Sequence, residues 1–176
     1  MKTRDMTLSA VMAALICVVG PRTVAIGPIP LSLASFAVYL AGAVLGWKHG
    51  TLAVLLYLLI GSAGLPVFSG FSGGFQKLAG VTGGYLIGYL PCAFIAGLGA
   101  CEQKPVWCLP VCMAAGTAAL YILGTAWFMA QTGNGLAAAL GLCVLPFLPG
   151  DAIKIVAATV ISKPIRNAIK NTGLSS

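Results

Sequence analysis

Residues 145–155 read Leu-Pro-Phe-Leu-Pro-Gly-Asp-Ala-Ile-Lys-Ile and lie between two apolar runs. Two prolines and a glycine precede Asp151, which is one of only three acidic residues in the chain, and Lys154 follows three positions later. Residues three apart on a helix share one face. Charged groups at membrane depth cost about 2.5–3.5 kcal/mol each on insertion scales and by default mark functional sites. This pair in so apolar a sequence therefore indicates a ligand-binding site.

A simpler interpretation of Asp151 is helix capping. An acid just after Pro-Gly is favoured at a helix N-terminus, where it accepts backbone N–H groups and complements the helix dipole. The same dipole disfavours the charge of Lys154, which capping leaves unexplained. We therefore expect a polar clamp at the mouth of a pocket. In this clamp Asp151 accepts hydrogen bonds from ligand N–H groups, and Lys154 donates to a ligand carbonyl or carboxylate.

The composition of the whole chain is that of a polytopic membrane protein. Only 7% of its 176 residues are charged, against about 25% in a soluble domain, and 59% are hydrophobic. The net charge of +7 is scattered between apolar runs, which is typical of topology signals and argues against a nucleic-acid partner. The six cysteines form no Cys-x-x-Cys pair, so we interpret them as packing residues and expect neither a metal nor a disulfide.

Six apolar segments predict an all-α membrane protein, a six-transmembrane-helix bundle in one domain over residues 1–176. The first segment resembles a signal peptide, but no cleavage site follows it and further spans do, so we interpret it as a helix. Several segments are shorter than the ~20 residues that a bilayer core requires, which indicates a thin or tilted bundle. The predicted spans are residues 6–20, 31–46, 51–63, 83–99, 106–131 and 150–161, with a loop at 23–30 and a short apolar stretch at 136–145.

The basic residues predict the orientation of these spans. With the N-terminus inside, seven lysines and arginines fall on the inner side and three on the outer side, which agrees with the positive-inside rule. Both termini are then cytoplasmic. The inner set is Lys2, Arg4, Lys48, Lys104, Lys163, Arg166 and Lys170, and the outer set is Arg22, Lys77 and Lys154. Because the outer set opposes the rule, we expect it to converge with Asp151 in one outward-facing cluster.

A second candidate site segment is the glycine-rich stretch at residues 64–85. Seven glycines alternate there with Phe68, Phe71, Phe75 and Tyr85, and the stretch is too broken for a spanning helix. Non-helical backbone at membrane depth is tolerated where it lines a cavity, and aromatic rings make flat apolar walls. A glycine-rich surface loop is the alternative. A phosphate-binding loop is excluded because no Gly-Lys-Ser/Thr follows the glycines.

Two shorter motifs leave alternatives open. Ala10 and Ala14 form a small-xxx-small face that allows close helix contact, and packing inside the bundle is the simpler interpretation. Ser32 and Ser35 follow a proline-stiffened loop, where capping of the next helix is the default and ligand contact comes second. His49 has no carboxylate near it in sequence and predicts no metal site.

Several of these segments together resemble the BioY family, the biotin-binding S components of energy-coupling factor (ECF) transporters of prokaryotes. The resemblance extends over nearly the whole chain, and its most specific part is the last segment. The segments are Pro-Ile-Pro-Leu-Ser-Leu at 28–33, Leu-Tyr-Leu-Leu-Ile-Gly-Ser-Ala-Gly-Leu-Pro-Val-Phe at 56–68, Gly-Val-Thr-Gly-Gly-Tyr-Leu-Ile-Gly at 80–88 and Leu-Pro-Phe-Leu-Pro-Gly-Asp-Ala-Ile-Lys at 145–154.

The resemblance implies a multi-pass protein of the prokaryotic cell membrane that binds biotin near the outer face and needs no cofactor. It implies that Asp151 and Lys154 contact the vitamin and that the glycine-rich segment covers the pocket. Ala10 and Ala14 become the expected interface with a transmembrane coupling subunit, which works with two ATPase subunits. The expected ligand-binding set is Asp151, Lys154, Tyr85, Gln76, Lys77, Phe75 and Ser32.

Three rival functions remain for the sequence. One is an S component for another vitamin, and a second is a helical protein with a structural or channel-like role and no saturable ligand. The third is a membrane-embedded enzyme that acts on lipid through Asp151 and Lys77, but the chain lacks a nucleophile paired with a base, and no enzyme is expected. The chain also has no nucleotide-binding motif, so uphill transport requires an ATP-driven partner.

Overall fold

The computed structural model of the chain describes residues 3–25, 30–100, 105 and 107–169. These residues form seven α-helices and one two-stranded antiparallel hairpin. In chain order the elements are α1 Thr3–Val19, β1 Thr23–Ala25, β2 Pro30–Ser32, α2 Ala34–Ser62, α3 Phe75–Ala79, α4 Gly83–Leu98, α5 Cys108–Thr132, α6 Leu136–Cys143 and α7 Leu148–Ile169.

Helix α2 folds back on itself at Gly46. This residue has φ 75° and ψ −179°, a conformation that only glycine adopts readily, and it breaks the helix into residues 34–45 and 47–62. Residues nine apart in a straight helix lie about 13 Å apart. Here a Cβ placed on Gly50 would lie 2.7 Å from the carbonyl oxygen of Ala41, so the two arms are antiparallel and in contact. The sequence predicted a break between spans ending at residue 46 and starting at residue 51, and the structure shows a tighter one, because helix resumes directly after Gly46.

The hairpin corrects two further predictions. Thr23 pairs with Ser32 and Ala25 with Pro30, where the sequence predicted a loop. The second helix consequently begins at Ala34 and not at residue 31. The last helix also extends to Ile169, beyond the predicted end at residue 161.

The contacts between helix ends sort the bundle into two ends. At one end, which we call the far end, the Ser9 hydroxyl donates to the carbonyl of His49 at 3.4 Å, and Gly97 packs against the backbone of Trp47. Asp5 and His49 also form an ion pair there, with 3.8 Å between Oδ2 and Nε2, which the sequence did not indicate. Helix α1 begins at the far end, and α7 runs toward it.

The opposite end, which we call the site end, gathers the hairpin, α3 and the starts of α4 and α7. The Ser32 hydroxyl donates to the carbonyl of Gly20 at 3.0 Å and so fastens the hairpin to the end of α1. The Trp127 indole donates to the carbonyl of Gly80 at 2.9 Å and fastens α5 to the segment before α4. Arg22, Lys77 and Lys154 all belong to this end, whereas Lys48 lies at the far end.

A core of small and aromatic residues joins α1, α2, α4 and α5. Tyr39, Tyr57 and Phe68 are fully buried, and the rings of Tyr57 and Phe68 meet edge to face at 5.5 Å. Gly84 and Gly88 lie against Trp127 and Leu120 of α5, where small residues let two helices approach closely. Close backbone contact at these glycines lets short helices pack without large side chains between them.

The apolar surface agrees with a membrane protein. By length and composition α5 suffices to cross a membrane, and α6 with α7, bent by 49°, is a candidate if the pair counts as one span. The 29 residues of α2 also pass this test as one helix, but they fold back at Gly46 into two shorter arms. Asp5–Val19 and α4 are apolar but shorter. Many large apolar side chains on the outside are exposed, such as Val18, Ile122 and Ile153 at 66–70%. Such a surface is expected where lipid surrounds the bundle.

Candidate functional site: a buried ion pair in a cavity at one end of the bundle

Asp151 and Lys154 form a buried ion pair at the start of α7. The ammonium Nζ of Lys154 lies 3.0 Å from Asp151 Oδ1, and the side chains of Lys154 and Asp151 are only 10% and 8% exposed. Pro149 lies in the first turn of α7. Backbone N–H groups in a first turn have no partner within the helix, so a proline is tolerated there. The Pro-Gly segment thus starts the helix one turn before the pair, and both side chains point into the bundle.

Lys154 has no N–H group to spare. Its ammonium donates to the carbonyl of Ser32 at 2.8 Å, to the hydroxyl of Ser35 at 2.9 Å and to Asp151 Oδ1 at 3.0 Å. An ammonium has three donors, so all three are satisfied. The three acceptors come from the end of β2, the first turn of α2 and α7. Lys154 therefore ties the hairpin and two helices together, and the charge that the sequence left unexplained has a partner.

The carboxylate of Asp151 accepts from side chains of three helices. Tyr121 of α5 donates to Oδ2 at 2.6 Å, and Ser35 of α2 lies 3.4 Å from Oδ1, the atom that also accepts from Lys154. No backbone N–H of its own helix is among these partners, so Asp151 does not cap α7, although it lies in the first turn of that helix, where the dipole favours an acid. The N-cap residue of α2 is Leu33, so neither serine is its N-cap: the Ser32 hydroxyl accepts from the Ala34 N–H at 2.9 Å in the turn before the helix, and the Ser35 hydroxyl faces the ion pair.

A cavity opens directly over this pair. Its empty volume is about 580 Å³, a figure that includes open space at its mouth. Tyrosines and apolar side chains form most of the wall, and hydroxyls and two lysines add polar groups. The lining residues are Ser32, Ser35, Ser69, Lys77, Thr82, Tyr85, Leu86, Tyr89, Leu120, Tyr121, Cys143, Phe147, Asp151 and Lys154.

Lys77 is the free cation of this wall. It projects from the short helix α3 and has no side-chain hydrogen bond or ion pair to any other residue that the structure describes. Because the charges of Asp151 and Lys154 cancel, Lys77 leaves the cavity with one formal positive charge. A ligand with one anionic group and several hydrogen-bonding groups suits such a cavity.

The structure brings five of the seven predicted ligand-binding residues to one cavity, namely Asp151, Lys154, Tyr85, Lys77 and Ser32. Phe75 and Gln76 are exposed, Phe75 at 73%, and neither lines the cavity. Their contact with a ligand stays a prediction without support from the geometry. Of the three outer basic residues, Arg22 is exposed at the site end and does not line the cavity, so only two of them converge with Asp151.

The glycine-rich segment lines the cavity as expected, and it is anchored in the core. Phe68 is fully buried against Gly61 and Tyr57, and the N–H of Gly74 donates to the carbonyl of Gly61 at 2.8 Å. Gly74 has φ 94°, which permits the turn that starts α3. The alternative of a surface loop is therefore wrong for its buried part, although Phe71 is 70% exposed.

Tyr121 was the main residue that sequence reasoning missed. It is one of several tyrosines within apolar helices, and nothing near it in sequence distinguishes it. Thr82, Tyr89 and Phe147 also line the cavity and stood inside quoted motifs or predicted spans without being singled out. The position of Tyr121 within an apolar span could have indicated its role, because a phenol in an apolar helix needs a hydrogen-bonding partner.

Ala10 and Ala14 lie on the outer face of α1. Both are exposed, whereas Ser9, Ala13 and Ile16 form the buried face of the helix. Packing inside the bundle, the simpler interpretation of the motif, is therefore wrong. The small residues leave a shallow strip on the surface that a second helix can approach closely.

The fold and the site together define a helical membrane protein with a cavity of mixed apolar and charged lining at one end of its bundle. Comparison with known proteins identifies the group. The BioY family model matches residues 1–171, and the chain belongs to the BioY family.

Two curated relatives and one solved structure match nearly the full chain. "Probable biotin transporter BioY" of Pyrococcus horikoshii is 40% identical over 94% of this chain and 98% of its own length. "Biotin transporter BioY" of Thermotoga maritima is 38% identical over 90% of this chain and 94% of its own length. The crystal structure of an S-component for biotin from an ECF-type ABC transporter matches with a TM-score of 0.83, at 28% identity, over 94% of this chain and 92% of that one.

Proposed function

We propose that this chain is the substrate-capture (S) subunit of a biotin importer. It binds biotin in the cavity at the site end and delivers it with an ATP-driven coupling module. The observation that carries the proposal is the buried Asp151–Lys154 pair, fixed by Ser35 and Tyr121 beneath a cavity with one free cation, in a chain of the BioY family. A transport component of this kind is not an enzyme.

Biotin suits this cavity at both of its polar ends. The ureido ring offers two N–H donors and a carbonyl, and the carboxylate at the end of the valeryl chain carries one negative charge. Asp151 Oδ2 has one hydrogen bond and room for another, so we assign the ureido N–H groups to it. We assign the carboxylate to Lys77, because this ammonium is free of internal partners. Lys154 then contacts the ligand only by exchanging one of its three internal bonds.

The apolar part of biotin meets the aromatic wall. Tyr85, Tyr89 and Phe147 face the cavity and offer flat surfaces to the thioether bicycle and the methylene chain. Ser32 belongs to the same wall through the carbonyl and hydroxyl that order the hairpin. A vitamin without a carboxylate, or without two ring N–H groups, leaves either Lys77 or Asp151 without its partner, and unpaired buried groups reduce affinity strongly.

The proposed topology has six crossings in the prokaryotic cell membrane and both termini in the cytoplasm. The two arms of α2 count as two spans, of 12 and 16 residues, or about 18 and 24 Å at 1.5 Å per residue. With α1, α4, α5 and α7 they make six. The site end, with Lys77 and Lys154, then faces outward. The far end, with Lys48, faces the cytoplasm in agreement with the positive-inside rule.

The proposed partners are a transmembrane coupling subunit and two ATPase subunits. The exposed strip around Ala10 and Ala14 is the proposed contact with the coupling subunit, since small residues permit close helix approach within lipid. Replacing both alanines with leucine is expected to abolish co-purification of the coupling subunit while leaving biotin binding by the isolated chain unchanged. Loss of binding in this variant would contradict the assignment of the strip to the partner.

Saturable binding of radiolabelled biotin to the purified chain in detergent tests the function directly. The unmodified chain is expected to bind biotin tightly, and Asp151→Asn to bind it at least tenfold more weakly. Asp5→Asn is the matched control, because it removes a paired carboxylate at the far end. Unlabelled thiamine, riboflavin and other vitamins are competitors for the alternative ligand. Competition by one of these in place of biotin would refute the proposal, and the absence of any saturable ligand would favour a structural role.

A further inference from the structure

The hydroxyl of Tyr121 has only one direction in which it can donate. It lies 2.6 Å from Oδ2 of Asp151, a carboxylate oxygen that can only accept. The phenolic hydrogen therefore points at the carboxylate, and the bond is of the short, charge-assisted kind. The oxygen of Tyr121 keeps its remaining lone pair, so toward any other group it acts as an acceptor.

The position of Tyr121 turns this acceptor toward the ligand. The residue lines the cavity, and its ring packs on the cluster of Phe128, Ala139, Cys143 and Phe147 that connects α5, α6 and the start of α7. This packing holds the ring against rotation away from Asp151. The hydroxyl oxygen and Asp151 Oδ2 thus stand as two adjacent acceptors on one wall, whereas Oδ1 is occupied by Lys154 and Ser35.

We infer that Tyr121 is a specificity-determining residue whose hydroxyl accepts one ligand N–H group beside Asp151. The inference rests on the proposed function, in which the ligand is biotin with two ureido N–H groups. Asp151 fixes the hydroxyl in its accepting orientation, and Tyr121 in turn holds the carboxylate in place. A ligand that carries an oxygen or an alkylated nitrogen at that position meets an acceptor with nothing to donate to it.

The test compares biotin with its two singly N-methylated derivatives, each competing against radiolabelled biotin on the purified chain. The unmodified chain is expected to bind at least one methylated derivative tenfold or more weakly than biotin. Tyr121→Phe is expected to weaken biotin binding about tenfold, the size of one hydrogen bond, and to bring that derivative within about threefold of biotin. Tyr39→Phe is the matched control, because it removes a buried hydroxyl that bonds to Thr117 at 2.7 Å outside the cavity.

A second variant separates accepting a ligand N–H from merely supporting the fold. In Asp151→Asn the carboxylate that orients the hydroxyl is gone, so adding Tyr121→Phe to it is expected to cost no more than about a further threefold. A Tyr121→Phe variant that binds biotin like the unmodified chain overturns the inference, as does one that loses biotin and both derivatives in equal proportion. If the unmodified chain binds no biotin, the proposed function and this inference fall together.

Discussion

Replacing Lys154 with methionine is expected to destabilise the chain far more than the loss of a charge from a half-buried pair. Methionine keeps most of the volume of the side chain and removes the ammonium, so the change isolates the ion pair from a packing defect. Asp151 is then left as an uncompensated carboxylate that is 8% exposed, with hydrogen bonds from Tyr121 and Ser35 only. Breaking a buried pair on one side typically costs about 3–5 kcal/mol.

The Asp5–His49 pair at the far end sets the scale for comparison. Its atoms are 3.8 Å apart and its side chains are 26% and 28% exposed, so its loss is expected to cost about 0.2–1 kcal/mol. For a chain of this length, 1 kcal/mol corresponds to roughly 2–4 °C in melting temperature. We therefore expect the melting temperature to fall by roughly 6–20 °C in Lys154→Met and by at most about 4 °C in Asp5→Asn.

The assay is thermal unfolding of the purified chains in one detergent without biotin, with size-exclusion profiles before and after. The double variant Asp151→Asn with Lys154→Met removes both charges and is expected to recover at least half of the loss, because a neutral pair of similar volume leaves no buried charge. A Lys154→Met chain that melts within 2 °C of the unmodified one would refute this reasoning. A double variant as unstable as the single one would show that the ammonium matters for its bonds to Ser32 and Ser35 and not for its charge.

Three further predictions follow from other parts of the structure. Lys77→Gln is expected to weaken biotin binding about tenfold and to abolish the preference for biotin over its uncharged amide, measured by competition. Tyr57→Phe removes a buried hydroxyl that has no partner among the described residues, and it is expected to raise the melting temperature by a few degrees. Gly84→Val places a side chain where Trp127 already lies and is expected to lower the melting temperature or prevent folding, whereas Gly141→Ala, with open space around it, is expected to change little.

The sequence was sufficient for the features that depend on local pattern. Apolar segments and prolines located α1, both arms of α2, α4 and α5 to within a few residues, since in lipid a backbone without water must form helix or closed sheet. The same reasoning picked out Asp151 and Lys154, because charge is rare in such a chain. The part of α7 after residue 161 and the short helix α3 were not predicted. The break at Gly46 was predicted between two spans, but its sharpness and the hairpin at Thr23 and Ser32 were missed, because both depend on contacts between segments.

The sequence predicted only those site residues that lie in a conspicuous local motif. Lys77 and Tyr85 were found through the glycine-rich segment around them, yet Phe75 and Gln76 of the same short helix project away from the cavity. The rotation of a five-residue helix about its axis decides which of its residues face inward. The glycine-rich segments on either side of α3 do not specify this rotation. Tyr121 was missed for the opposite reason, since its role comes from a contact with a carboxylate 30 positions away.

In the structure Lys154 and Lys77 have different roles, whereas the sequence predicted that both would contact the ligand. Lys154 donates its three N–H groups to Ser32, Ser35 and Asp151, so its charge holds the hairpin, α2 and α7 together. Lys77 has no such partners and is the cation available to an anionic ligand. A buried pair is commonly no more stable than apolar residues of equal size, so its presence here favours a functional reason over a structural one. We propose that this reason is the acceptor edge of Asp151, which Lys154 and Tyr121 hold in place beside the cavity.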